Sequence, residues 1–205
     1  MRKMKRRLLV WIWMLLPVFA WGQDRPKVAV VLSGGGAKGT AHIGALKVIE
    51  KAGIPIDYVV GTSMGAIVGG LYAIGYTPEQ LDSLVNVQDW KFLLSDGPNP
   101  KKELLDNRLK SEQYVLSIPF TLKAADVTDA GIIKGKNLAK LFSTLTDGYQ
   151  DSVNFSRLPI PFACVSENIV NGTEVVFHEG ILATAMRSSM SIPGVFSPIY
   201  LDGMV

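Results

Sequence analysis

The chain has 205 residues, 48% of them hydrophobic, with one cysteine and a formal charge of +3. That composition supports one domain with a sizeable core, and excludes both a disordered chain and a disulfide scaffold, since one Cys cannot pair within its own chain. Five cations, Arg2, Lys3, Lys5, Arg6 and Arg7, fall within residues 1–22 with no acid, leaving 16 cations against 18 anions, a net −2, for the rest. With no Lys/Arg cluster elsewhere, the electrostatic footprint of a nucleic-acid partner is missing.

The N-terminus reads as an address. Its basic run precedes the apolar stretch Leu8–Ala20, and small residues at Ala20 and Gly22 flank Trp21 before Gln23, the pattern of a cleaved signal peptide. Thirteen apolar residues fall short of the roughly 20 that span a bilayer. An uncleaved anchor is the competing reading, with Trp13 and Trp21 at an interface. Residues 1–22 are therefore set apart as a leader, 23–205 form the domain, and an exported protein is expected.

The mature chain opens with a β-branched run at Lys27–Leu32, which predicts a strand buried on both faces of a parallel sheet. The segment Ser33-Gly34-Gly35-Gly36-Ala37-Lys38-Gly39-Thr40 follows. Then Ala41, Ala45, Leu46, Val48, Ile49 and Ala52 recur at helical spacing until Gly53. A second apolar run at Ile56–Val60 completes a strand, glycine loop, helix, strand unit, with the loop at the carboxyl end of its strand.

Three uses of the loop compete. Gly34-x-Gly36-x-x-Gly39 has the dinucleotide spacing, but 20 glycines in 205 residues make that spacing common by chance, and Asp57 begins the second strand instead of ending it. The phosphate P-loop fails on order, because the chain reads Lys38-Gly39-Thr40. An oxyanion hole is the third use, since successive glycine N–H groups and a helix N-terminus converge on developing negative charge.

Gly61-Thr62-Ser63-Met64-Gly65 lies directly between the run Ile56–Val60 and an uncharged helix predicted from Met64 to Ile74. That is where a nucleophile elbow sits: a tight strand-to-helix turn lifts a strained Ser above the sheet. A glycine-rich packing turn is the bland alternative. Gly65, Gly69, Gly70 and Ala73 allow close backbone approach despite roughly 1 kcal/mol of lost helix propensity per glycine. Gly75 ends the helix, and Thr77-Pro78-Glu79-Gln80 opens the next with a capping box.

Together the glycine loop, the elbow, and Ala185-Met186-Arg187-Ser188-Ser189-Met190-Ser191-Ile192-Pro193-Gly194-Val195-Phe196 resemble the patatin-like phospholipases, over about Lys27 to the C-terminus. The resemblance implies a three-layer α/β/α fold with a mainly parallel sheet. It also implies hydrolysis of lipid acyl esters by a Ser–Asp dyad without histidine. Ser63 is then the nucleophile, Gly61 and Gly65 its elbow, and Gly34, Gly35, Gly36, Lys38 and Gly39 the oxyanion-hole and substrate-binding loop. The implied partners are membrane lipids or phospholipids, with membrane association in the periplasm, outer membrane or cell surface of a Gram-negative bacterium. Some bacterial relatives carry a C-terminal barrel that this chain is too short to contain.

The dyad Asp is not evident. Asp202-Gly203 follows the apolar run Phe196–Leu201, which reads as a strand and its hairpin turn, and the catalytic Asp is expected beyond Val205. The chain would then be a fragment with its nucleophile unpaired. A triad through His42 or His178 is the separate alternative, though each reads as a surface or supporting residue. A nucleotide-binding module and a non-catalytic lipid-binding relative remain the other readings.

Of the remainder, Gly135–Leu145 is a predicted helix with Leu138, Leu141, Phe142 and Leu145 on one face, and Trp90–Leu94 with Tyr114, Leu116, Ile118 and Phe120 are core or an acyl channel. Lys134 and Lys136 are solvated charges or contacts for anionic headgroups. Ile160–Ser166 reads as a core strand holding Cys164, followed by a hairpin turning at Asn171-Gly172. No His or carboxylate pair has metal-ligand spacing, so no metal and no cofactor are expected.

Overall fold

The computed structural model describes residues 25–97, 133–201 and 203–205. The leader, Tyr114, Leu116, Ile118, Phe120 and Asp202 lie outside the described residues.

Four strands form the main sheet: β1 (Ala29–Leu32), β2 (Tyr58–Thr62), β4 (Phe162–Asn168) and β5 (Thr173–Phe177). Their order is β1-β2-β4-β5, parallel except for the last pair. A short antiparallel pair, β3 (Val153–Asn154) with β6 (Glu179–Gly180), lies apart. The helices are α1 (Ala41–Lys51), α2 (Met64–Ala73), α3 (Pro78–Val87), α4 (Trp90–Leu93), α5 (Lys136–Leu145) and α6 (Leu182–Ser189), with a 3-10 turn at Gly36–Thr40. This is the expected α/β architecture with a mainly parallel sheet.

The sheet face bearing Leu32, Val59, Gly61 and Cys164 is covered by α2 and α6. A Cβ built on Gly69 would touch Val59, Leu32 and Phe162, one on Gly70 would lie 2.9 Å from Met186 Sδ, and Cys164 Sγ donates to the Ala185 carbonyl at 3.2 Å. Helix α2 is buried almost throughout, as its lack of charge requires.

Strand β1 departs from expectation. It is a sheet edge, and Val31, on its other face, is 73% exposed. That side chain is open to solvent among the described residues, so the hydrophobic run signalled strand propensity and not two-sided burial of β1. Strand β2 begins two residues later than its apolar run and extends through Gly61 and Thr62, because Gly61 pairs with both Leu32 and Cys164. Ahead of it, Asp57 is occupied elsewhere. Its carboxylate takes a bidentate contact from Arg25 at 2.6 and 2.7 Å and the Val28 N–H at 2.8 Å, which hold it well below the usual carboxylate range. Strand β4 likewise starts later than predicted, at Phe162, and runs to Asn168.

Helix α1 buries Ile43 and Leu46, while Ala41, Ala45 and Val48 of the predicted stripe face solvent. The Thr77–Gln80 capping box forms in both directions, at 2.9 and 3.3 Å. On α5, Leu138 and Phe142 are buried with Leu141 and Leu145 packed behind them. The hairpin turns where Asn171-Gly172 places it, with Gly172 at φ +69°. The predicted strand Phe196–Leu201 is reduced to two isolated bridges, Phe196 to Ile133 and Leu201 to Met204. Pro198 interrupts it, since proline cannot donate to a ladder.

Two helical glycines differ in sign. A Cβ on Gly65 would sit 2.0 Å from the Leu32 carbonyl oxygen, whereas Gly44, inside α1, has nothing within 4 Å. Gly44→Ala should raise stability by about 0.5–1 kcal/mol, and Gly65→Ala should lower it by at least about 3 kcal/mol, both read from denaturant midpoints.

Candidate active site

Ser63 stands at the junction of β2 and α2 with φ 53° and ψ −119°, a positive-φ conformation that costs a non-glycine residue about 1–3 kcal/mol. The backbone on both sides fixes it there. A Cβ on Gly61 would meet the Gly65 carbonyl oxygen at 2.4 Å and Ala66 Cα at 2.5 Å. Only glycine lets strand and helix approach this closely, and the chain must reverse within one residue.

An N-terminal serine normally uses its hydroxyl to cap its own helix. Here it does not. The Ser63 carbonyl accepts from Ala66 and Ile67 N–H at 2.9 and 3.1 Å, but its side chain makes no cap bond. The strained turn thus leaves Oγ, at the positive end of α2, without a bond to its own helix.

The glycine loop lies against this serine. A Cβ on Gly34 would be 3.3 Å from Ser63 Cβ and 4.0 Å from Oγ. The N–H groups of Gly34, Gly35 and Gly36 meet no acceptor among the described residues, and the loop is exposed. The remaining members of the predicted loop sit differently. The Lys38 N–H is committed to the Gly35 carbonyl at 3.1 Å, and Gly39 is buried beneath Met64, whose Cβ is 2.6 Å from a built Cβ.

Neither histidine reaches Ser63. His42 Nε2 donates to the Ser33 carbonyl at 2.8 Å, which pins the base of the loop. His178 is exposed just beyond Phe177, opposite Cys164 and on the far side of β4 from β2, so two strand spacings of about 5 Å each separate it from the elbow. No described carboxylate hydrogen-bonds Ser63 Oγ. Asp202, the candidate weighed in the sequence, lies outside the described residues. Its neighbours Leu201 and Met204 pair through both backbone bonds, with Gly203 at φ +78°. Strand β2 ends at Thr62 without the acidic residue that a ribose contact needs. Among the described residues no three His, Cys, Asp or Glu side chains converge on a metal position, and no described helix is long and apolar enough to cross a membrane.

Two residues of α6 entered the sequence reading only as members of the stretch Ala185–Phe196 and were given no role of their own, because their key partners include backbone atoms distant in sequence. Ser189 Oγ accepts from the Ser63 N–H at 2.7 Å and donates to the Val165 carbonyl at 2.5 Å. Arg187 is buried, with 2% exposure. Its guanidinium donates to Ser191 Oγ at 2.5 Å and to the Lys134 and Ser197 carbonyls at 3.0 and 3.1 Å, and stacks 5.2 Å from the Phe196 ring centre. A Cβ on Gly135 would lie 2.7 Å from the guanidinium, so this glycine makes room for it. Burial pulls the Arg187 pKa down and Asp96 opposes that. Asp96 itself accepts from the backbone N–H groups of Lys134 and Lys136, whose side chains are exposed.

A cavity of about 530 Å³ opens beside the elbow, lined by Thr62, Val165, Ser189, Ile192, Pro193 and Ile199 among others. Its volume suits a small-molecule site. Ser63 is adjacent through Thr62 but is not itself a wall.

An α/β sheet with a strained serine elbow facing a glycine loop places the protein in the elbow-bearing class of α/β folds. The patatin-like phospholipase family model matches residues 30–204, and the chain belongs to that family. An uncharacterized NTE family protein of Mycobacterium bovis is 32% identical over 182 residues, covering 89% of this chain and 42% of that one. The lysophospholipase NTE1 of Candida albicans is 28% identical over 176 residues, covering 86% of this chain and 11% of its own length. A crystal structure of the type III effector ExoU aligns with 21% identity and a TM-score of 0.48, covering 83% of this chain and 40% of that one. The chain therefore spans less than half the length of these relatives.

Cys164 is fully buried in β4, and burial pushes its thiol up to about 12, against a smaller opposing contribution from Ser189. It should stay protonated and inert at pH 8. A thiol titration should find no reactive group in the native protein and one after denaturation; a fast native reaction would refute that burial.

Proposed function

We propose that this protein is a serine acyl hydrolase acting on lipid esters. Ser63 Oγ gives its proton to a base and attacks the acyl carbonyl, and the N–H groups of Gly34, Gly35 and Gly36 receive the developing oxyanion. The lipid alcohol leaves with that proton as the acyl group stays on Ser63, and water then hydrolyses the acyl-enzyme to the free acid and the serine hydroxyl. One observation carries the reading. Ser63 is held at positive φ with a hydroxyl that its own helix does not use, directly against Gly34 of a loop whose first three glycine N–H groups meet no acceptor among the described residues.

The family supports lipid esters as the substrate class, since it is named for phospholipases and the Candida albicans relative for lysophospholipase activity. The apolar walls contributed by Ile192, Pro193 and Ile199 suit an acyl chain next to the reacting carbonyl. A carboxylate base completing a Ser–Asp dyad belongs to the proposal, because a lone Ser hydroxyl is a weak nucleophile. The basic and apolar leader supports export, and hence action at a membrane surface.

Two measurements test this. A fluorophosphonate probe should label the protein at Ser63, and Ser63→Ala should abolish both labelling and ester hydrolysis; activity surviving in that variant sinks the reading. Asp202→Asn should leave hydrolysis within about threefold of the parent, since asparagine serves a turn as well as aspartate. A loss of activity on the scale that removal of a general base causes, about 10²–10⁴-fold, would make Asp202 the base after all.

A further inference from the structure

We infer that Ser189 is a positioning residue for the nucleophile, a hydroxyl that continues the β2–β4 ladder through the elbow and sets the orientation of Ser63. The inference rests on Ser63 being the nucleophile.

The parallel pairing of β2 with β4 runs through Thr62 opposite Val165 and stops there. At the next residue the chain turns away at φ 53°, so the Ser63 N–H no longer reaches the neighbouring strand. The end of α6 fills the gap. Ser189 Oγ takes the Ser63 N–H at 2.7 Å and gives its own proton to the Val165 carbonyl at 2.5 Å, so one side chain stands where a direct ladder bond would have formed. Its single proton is spent on Val165, which leaves a lone pair facing Ser63. The direction of both bonds is thereby set.

The geometry has a mechanical consequence. The Ser63 conformation is strained and persists only while the surroundings over-determine it. From the sides, Gly61 and Gly65 confine it sterically. From above, its carbonyl is held by Ala66 and Ile67. The N–H is the remaining handle, and Ser189 holds it from a different helix. That helix is itself anchored: Ala185 accepts from Cys164, and Met186 packs against Gly70. The aim of Oγ at the glycine loop is thus tied to α6 as well as to α2.

The cavity makes this role separable from folding. Thr62, Val165 and Ser189 all line it, so when Ser189 loses its hydroxyl, water can enter and satisfy the freed N–H and carbonyl. Stability then changes little, but a mobile water replaces an anchored hydroxyl. A misplacement of about 1 Å costs up to about a hundredfold in rate.

The test compares Ser189→Ala and Ser189→Thr in the full-length protein, with a soluble p-nitrophenyl ester as substrate. Ser189→Ala should lower kcat and the fluorophosphonate labelling rate by roughly ten- to a hundredfold, with KM within about twofold and the melting temperature within a few degrees. Ser189→Thr keeps the hydroxyl and should recover kcat to within about threefold. Parental kcat in Ser189→Ala overturns the inference, as does a threonine variant no better than alanine. Independently of any variant, the Ser63 amide of the parent protein should resist hydrogen exchange although it lies at a helix start, where N–H groups are usually open; rapid exchange also overturns it. If the parent shows no Ser63-dependent hydrolysis, the nucleophile reading fails, and the amide exchange still decides whether the Ser189 bridge exists.

Discussion

The close approach of α2 to the first two strands is the constraint on which the rest of the site depends. A methyl group on Gly65 would overlap the Leu32 carbonyl, and one on Gly61 would overlap the backbone of Gly65 and Ala66. With both side chains absent, the helix backbone rests on the strand backbone, and the chain between them has room for a single reversing residue. Ser63 is that residue, and its positive φ follows from the lack of space. The helix continues the same device at Gly69 and Gly70, where Val59 and Met186 occupy the volume of the missing side chains. Glycine weakens a helix in isolation, but here tertiary burial outweighs that loss.

From this contact the chemistry follows in order. The reversal carries the Ser63 hydroxyl off the axis along which a capping serine would turn it, so Oγ remains available. The same reversal brings Ser63 against Gly34, so hydroxyl and loop are neighbours without any side chain holding them together. Loop shape is maintained from the far side, by His42 on the Ser33 carbonyl and by Lys38 N–H on the Gly35 carbonyl. Lys38 therefore contributes its backbone to the architecture of the loop.

A second polar centre organises the opposite flank. Arg187 is buried with carbonyl and hydroxyl partners from three segments, and no carboxylate forms an ion pair with it among the described residues. A buried cation is costly unless its hydrogen bonds are met. That cost obliges the segments around Lys134, Ser191 and Ser197 to keep their places. Asp96 gathers the backbone of Lys134 and Lys136 in the same region. The charge that organises this flank is thus an interior one.

What the sequence determined by itself were features whose physics is local. The capping box, the stops at Gly53 and Gly75, the turn at Asn171-Gly172 and the uncharged, buried α2 each depend on a few adjacent residues, and each stands where it was read. The glycine-serine-glycine elbow was legible for the same reason, since its spacing encodes the steric clearance it needs. Tertiary structure decided what depends on partners far away in the chain. Val31 is apolar, yet β1 is an edge strand, and apolar character alone does not say which faces are covered. Gly61 ended an apolar run but belongs to β2, because Leu32 and Cys164 pair with it. Lys38 and Gly39 shared a motif with Gly34–Gly36, but only the folded loop set Gly34 against Ser63 and buried Gly39 beneath Met64. Ser189 lies 126 residues from Ser63, and no local pattern of hydrophobicity or turn chemistry records a bond that exists only once α6 has docked on the sheet.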